Sequence, residues 1–201
     1  MKKPIARRKN SHKLRLEKLE RRIVLSANPI VCDASGGDLH TNPFEVSGGG
    51  DAPDGLPLFS GGTARHFATG EATRLGNYSG SAVFEFGAFT NDDPMTGTGT
   101  FLSAEPFIFM APNGDQIAFD YGAEDPGTFT IMPQSETEII VEFVAEFTLD
   151  PSQSTGRFAK YSEGSFVMVA TTERFSGAIE DGFTADFDYS WEGEGAISFP
   201  T

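Results

Sequence analysis

The side chains in this sequence able to do chemistry are carboxylates, phenols and three histidines. Glu71 sits in the alternating run Phe67, Thr69, Glu71, Thr73, Leu75. If Phe67 and Leu75 turn inward, Glu71 enters an apolar interior. Desolvation there raises a carboxyl pKa and makes Glu71 a candidate acid or base. The alternate register turns His66 and Arg74 inward with Ala64, Ala68 and Ala72, because a slip of one residue exchanges the faces of a strand. Tyr121, Tyr189 and Trp191 fall on the apolar side of alternating segments. Core packing is their default role, and lining a pocket for a small apolar ligand is the sharper one. Asp186, Asp188, Glu192 and Glu194 form an acidic ladder, in which Asp186, Asp188 and Glu192 are candidate ligands for a hard cation such as Ca²⁺. Side chains two apart on a strand are about 7 Å apart, so neighbours share an ion only across a bend or loop. A solvated face is the expected reading.

Other chemistries find no support. His12, His40 and His66 are scattered, which argues against a His-based zinc site. Cys32 is the single cysteine, so no intramolecular disulfide forms. There is no G-x-S-x-G, P-loop or dinucleotide fingerprint, and no cofactor is expected. Residues 1–28 carry ten Lys/Arg against two Glu, a net of +8; the remainder carries five against 27 Asp/Glu, a net of −22. A body that acidic repels nucleic acid and anionic lipid. No apolar run approaches the roughly 18 residues of a membrane span.

The elements that would hold these residues are strands. From Gly62 onward the hydrophobic period is two: Ile139, Val141, Phe143, Ala145, Phe147 and Leu149 share one face, as do Phe183, Ala185, Phe187, Tyr189 and Trp191. Residues 62–201 contain seventeen Phe but only three Leu, a composition that favours sheet over helix. Further strands are expected near 64–75, 79–89, 97–104, 106–111, 115–122, 127–132 and 165–174. Asn113-Gly114 predicts a two-residue type I′ hairpin. Between Ser154 and Val169, Gly156 and Gly164 bracket Phe158 and Tyr161 in a wide turn whose rings can fold over the end of a sheet. A run of short strands joined by short loops closes most economically into an antiparallel up-and-down β-barrel of about eight strands, with a two-sheet sandwich as the alternative. Residues 1–27 read as a basic amphipathic leader, helical or disordered, with Leu16, Leu19 and Ile23 at helical spacing. Residues 28–61, broken by Gly36-Gly37, Pro43, Gly48-Gly49-Gly50, Pro53 and Pro57, read as a disordered linker with a possible short strand at 57–60. That leaves 62–201 as the barrel domain.

Two resemblances add to this reading. Gly70-Glu71-Ala72-Thr73-Arg74-Leu75-Gly76-Asn77-Tyr78-Ser79, Asn113-Gly114-Asp115-Gln116-Ile117, the Ser154–Val169 stretch and Gly195-Ala196-Ile197-Ser198-Phe199 resemble, in order, segments of the allene oxide cyclase-like and dirigent-like barrels. The resemblance spans 62–199 and implies the fold; the plant enzymes' catalytic set does not carry over, because Cys32 lies outside the barrel. Leu19-Glu20-Arg21-Arg22-Ile23-Val24-Leu25-Ser26-Ala27 is similar to the LEPRxLL-type sorting motif of planctomycete surface and exported proteins, with Arg21 in place of Pro and Val24 in place of Leu. It implies export to the envelope or exterior.

The functional expectation is an exported, non-catalytic barrel with a structural or small-apolar-ligand-binding role. A cyclase or isomerase acting on an apolar substrate, and a calcium-dependent surface module, are the alternatives.

Overall fold

The computed structural model of the chain describes residues 38–55, 61–93, 96–122, 125–176 and 186–201. Ten strands form in chain order: β1 (Leu39–Ala52), β2 (Thr63–Ala72), β3 (Gly76–Asp93), β4 (Thr96–Met110), β5 (Gln116–Tyr121), β6 (Gly127–Pro133), β7 (Glu138–Asp150), β8 (Glu163–Thr172), β9 (Phe175–Ser176) and β10 (Phe187–Pro200). A 3-10 turn, Gly156–Phe158, is the one helical element among the described residues. Among them no helix is long and apolar enough to cross a membrane.

All pairings are antiparallel and follow the order β3-β2-β1-β10-β8-β7-β5-β4, with β3 pairing back onto β4 to close the ring. β5 and β6 occupy one position in two lengths. β5 bonds Phe107–Met110 of β4 and Phe147–Asp150 of β7, whereas β6 bonds Gly97–Phe101 and Ile139–Val144 of the same two strands. The short β9 pairs with Glu138 and Ile139 of β7. The result is a closed, up-and-down barrel of eight staves. Closure removes the edges that an open sheet would expose.

Alternation decides which side chains fill it. Ile139, Val141, Phe143, Ala145, Phe147 and Leu149 of β7 are buried, while the residues between them are partly or fully exposed. β10 behaves likewise, with Phe187, Tyr189 and Trp191 inside and Asp188, Ser190 and Glu192 outside. Rings inside and carboxylates outside reverse the pattern of a barrel embedded in lipid.

Three boundaries differ from the sequence reading. The domain does not begin at residue 62: Leu39–Ala52, read as linker, is β1, paired along its length with β10 and over Val46–Asp51 with β2. Pro43 is compatible because β2 does not reach it, so β1 has a neighbour on one side only at that point. The expected strands at 97–104 and 106–111 are one strand, β4. Pro106 falls at its β3-side irregularity and outside the stretches that pair with β5 and β6, where a missing N–H costs no ladder bond. The Asn113-Gly114 hairpin is not type I′. Gly114 alone takes a positive φ, 87°, and Gly114 N–H donates to Ala111 O at 2.9 Å while Ala111 N–H donates to Asp115 O at 2.9 Å. Pro112 at the first corner favours this three-residue loop, a type I turn followed by a left-handed glycine. The leader at 1–27 and the short strand at 57–60 lie outside the described residues.

Candidate functional site

The interior is unequal around its circumference. β1 and β2 turn Val46, Gly48, Gly50, Ala52, Ala64, Ala68, Gly70 and Ala72 inward, whereas β4, β5 and β7 turn in Phe101, Phe107, Phe109, Phe119, Tyr121, Phe143 and Phe147. Large rings from one side reach across to a wall of small residues on the other, the alternation that lets a small barrel fill itself. The glycines of β1 are part of that fit. A Cβ at Gly48 would lie 2.6 Å from Tyr78 Oη, and one at Gly50 would lie 2.8 Å from Tyr189 Oη and collide with the Phe67 carbonyl.

His66 is the one non-small side chain that β2 turns inward. Its ring packs against Phe84 (centroids 5.4 Å) and Phe107 (5.2 Å). Nδ1 lies 3.0 Å from Tyr189 Oη, and Nε2 lies 3.3 Å from Tyr121 Oη. Tyr189 Oη in turn donates to the Phe67 carbonyl at 2.9 Å. Beside this chain, Trp191 Nε1 donates to Tyr78 Oη at 2.7 Å and Tyr78 Oη donates to Ser47 O at 3.3 Å. Trp191 also stacks on Phe109 at 5.7 Å with an interplanar angle of 3°.

Burial sets the protonation of the group. Desolvation pushes the His66 imidazole down to about 4, so it is neutral near pH 7. Desolvation also raises Tyr121 well above the ordinary phenol value, helped by repulsion from Tyr189 and Asp120. Tyr78 and Tyr189 are raised for the same primary reason. All three phenols therefore keep their protons.

A small, part-open cavity of about 40 Å³ adjoins this group, bounded by Ala52, His66, Tyr121, Tyr189 and Trp191 together with Phe and Met side chains. That is space for about three waters. No Asp, Glu, Lys or Arg lines it.

The structure thus brings Tyr121, Tyr189 and Trp191 to one cavity and adds His66. Glu71 is not among them: it is exposed on the outer face of β2, as is Phe67, and it is His66 that turns in with Ala64, Ala68 and Ala72. Leu75 misleads here, since it is buried from the turn after β2 and not from the strand itself. A usable signal was the outward set Thr63, Arg65, Thr69 and Glu71, all polar, against an inward set of alanines. Asp186, Asp188 and Glu192 are exposed, and among the described residues no group of three or more Asp, Glu, His or Cys side chains is arranged to hold a metal ion.

No family model matches the chain, and neither a curated protein nor a solved structure matches it.

Proposed function

We propose that the chain is an exported, non-catalytic barrel module of the cell envelope or exterior that takes a small apolar ligand at the His66 end of its lumen. The observation that carries this reading is a cavity walled almost wholly by rings, at which three separate staves converge: β2 with His66, β5 with Tyr121, and β10 with Tyr189 and Trp191. Apolar walls with a few convergent polar groups are the usual make-up of small-molecule sites. A cyclase or isomerase needs an acid or base facing its substrate. Both nitrogens of His66 are engaged by phenols and Glu71 faces outward, which favours binding over catalysis. The ordered motifs shared with allene oxide cyclase-like barrels support kinship of fold, and the basic motif at 19–27 supports export.

Trp191 is the chain's only tryptophan and borders the cavity, so its fluorescence reads occupancy. Benzene titrated into the protein should change Trp191 emission saturably, and Ala170→Met, which fills the cavity from β8, should abolish the response. A linear, unsaturable response in both proteins refutes the binding role.

A further inference from the structure

We infer that the His66 pocket selects ligands that donate a hydrogen bond, such as small alcohols or phenols, over equally shaped ketones and aldehydes that only accept one. This rests on the ligand-binding reading above and follows from the direction of the hydrogen bonds around the cavity. The Tyr189 hydroxyl has one proton, and the Phe67 carbonyl 2.9 Å away can only accept it. Tyr189 Oη is therefore the acceptor in its 3.0 Å contact with His66 Nδ1, which fixes the imidazole proton on Nδ1. In a neutral imidazole the other nitrogen is then an acceptor. Hence Tyr121 must donate its proton to Nε2 across 3.3 Å. Burial keeps the imidazole neutral near pH 7, so the chain runs one way only. The fourth polar side chain of the lining, Trp191, spends its single N–H on Tyr78, whose own proton goes to Ser47 O.

Every N–H and O–H of the lining side chains is thus committed within the protein. What remains toward the cavity is lone-pair density on the two tyrosine oxygens and the thioether of Met168. An entering hydroxyl can donate to one of these oxygens without disturbing the chain. An entering carbonyl finds no donor unless Tyr121 turns away from Nε2, which would strand a buried acceptor. Either way one hydrogen bond separates the two ligand types. A net bond of that kind corresponds to about three- to tenfold in affinity.

The test compares 2-butanol with 2-butanone, which share a carbon skeleton, by titrating the full chain and following Trp191 fluorescence. The alcohol should bind about three- to tenfold more tightly. In His66→Phe the Tyr121 hydroxyl loses its acceptor and can turn to the cavity, so the preference should collapse or invert. Tyr121→Phe uncovers the Nε2 acceptor instead and should keep the preference for the alcohol. Equal binding of both compounds, or tighter binding of the ketone, overturns the inference while leaving the pocket a ligand site. A preference that survives in His66→Phe, or is lost in Tyr121→Phe, overturns the assignment of donors. If neither compound gives a saturable response, the ligand-binding reading falls and the inference falls with it.

Discussion

At the end of the lumen nearest the 3-10 turn, Phe44 packs on Phe119 and Phe166 at 5.3 Å each, and Phe119 meets Phe166 edge-on at 4.9 Å. Phe158 and Tyr161, from the β7–β8 connection, close over them, and Phe199 meets Tyr161 at 5.4 Å. At the opposite end rings also surround an imidazole and two phenols, but a cavity opens beside them. The first end needs only volume to be filled, which any well-shaped set of rings supplies. The second also needs each polar group to find a partner of the right polarity, because an unpaired buried donor or acceptor costs as much as a lost bond. Packing tolerates substitution; hydrogen-bond direction does not. The second end is therefore where specificity can reside.

The largest expected effect tests this contrast through packing. Phe119 is fully buried at the plugged end, and Phe119→Ala should cost about 3–5 kcal/mol of stability, as large-to-small core changes do. Phe187 borders the cavity and retains slight exposure, so truncation there removes fewer contacts. Phe187→Ala should fall at or below the bottom of that range. Denaturant midpoints of the two variants decide the matter, and equal losses would mean that the cavity end is packed as tightly as the plug.

Acid should find the polar end next. The folded His66 pKa, about 4, lies below the unfolded value of 6.5, so the unfolded chain binds the proton more readily in between. Stability from the neutral, buried imidazole is complete above pH 6.5 and is lost as pH falls toward 4. The full difference corresponds to at most about 3 kcal/mol, less where the ring edge meets the cavity. Because many carboxylates also titrate in this range, the informative quantity is the difference between the parent protein and His66→Phe. That difference should shrink on acidification. A pH-independent difference would place His66 in contact with water in the folded state.

The same contrast explains what could be read from the sequence. β7 is legible because its alternation is unbroken over six apolar positions, and the start of β10 because Phe187, Tyr189 and Trp191 continue an alternating run whose earlier members, Phe183 and Ala185, lie outside the described residues; the barrel follows from such strands repeating. All four segments that carry the allene oxide cyclase-like resemblance build the plugged end: the β2–β3 turn, the β4–β5 hairpin, the β7–β8 connection and the tail of β10. Only the end of the Ser154–Val169 stretch reaches the cavity, through Met168, and none of the four supplies His66, Tyr121, Tyr189 or Trp191, so the resemblance speaks to architecture and is silent on the polar groups of the site. β1 reads as linker in the sequence because its interior positions Gly48 and Gly50 are small for a tertiary reason, the close approach of the Thr69 and Phe67 carbonyls of β2 with Tyr78 and Tyr189 beside them, and small residues in sequence look like a linker. The sequence favours Glu71 over His66 because Phe67 and Leu75 suggest an inward face, whereas the Phe67 ring lies on the outside beside Asp51, its partner across the β1–β2 ladder. Register errors of one residue exchange every side chain on a strand, and local pattern cannot correct them.

A mid-sized effect should follow from adding bulk to the small wall. Gly50→Ala places a methyl group against Tyr189 Oη and the Phe67 carbonyl, two groups that belong to the His66 hydrogen-bond chain. The cost should be about 1–3 kcal/mol, as for overpacking elsewhere. Trp191 emission should shift at the same time, since Tyr189 and Trp191 flank the same cavity. Loss of stability with unchanged emission would mean that the small wall serves packing alone.

The weakest expected effect lies on the outside of the strands that build the polar end. β1 and β10 bring Gly50 and Tyr189 together within the lumen, and the same register sets Asp51 opposite Asp188 and Glu45 opposite Glu194 in solvent. Like charges directly across a ladder repel, by about 0.2–1 kcal/mol per pair. Glu194→Lys should therefore stabilise the barrel by an amount of that order, and the gain should fade as salt screens it. Solvated repulsion of this kind has no preferred ion geometry, so Ca²⁺ and Mg²⁺ at equal ionic strength should raise the melting temperature alike. A bound cation would act differently: its stabilisation would saturate as RT ln(1 + [L]/Kd), favour Ca²⁺, and disappear in the Asp186→Asn, Asp188→Asn double variant. A selective, saturable response of that form would make the acidic face a calcium site and move the proposed functional centre from the lumen to the outer surface.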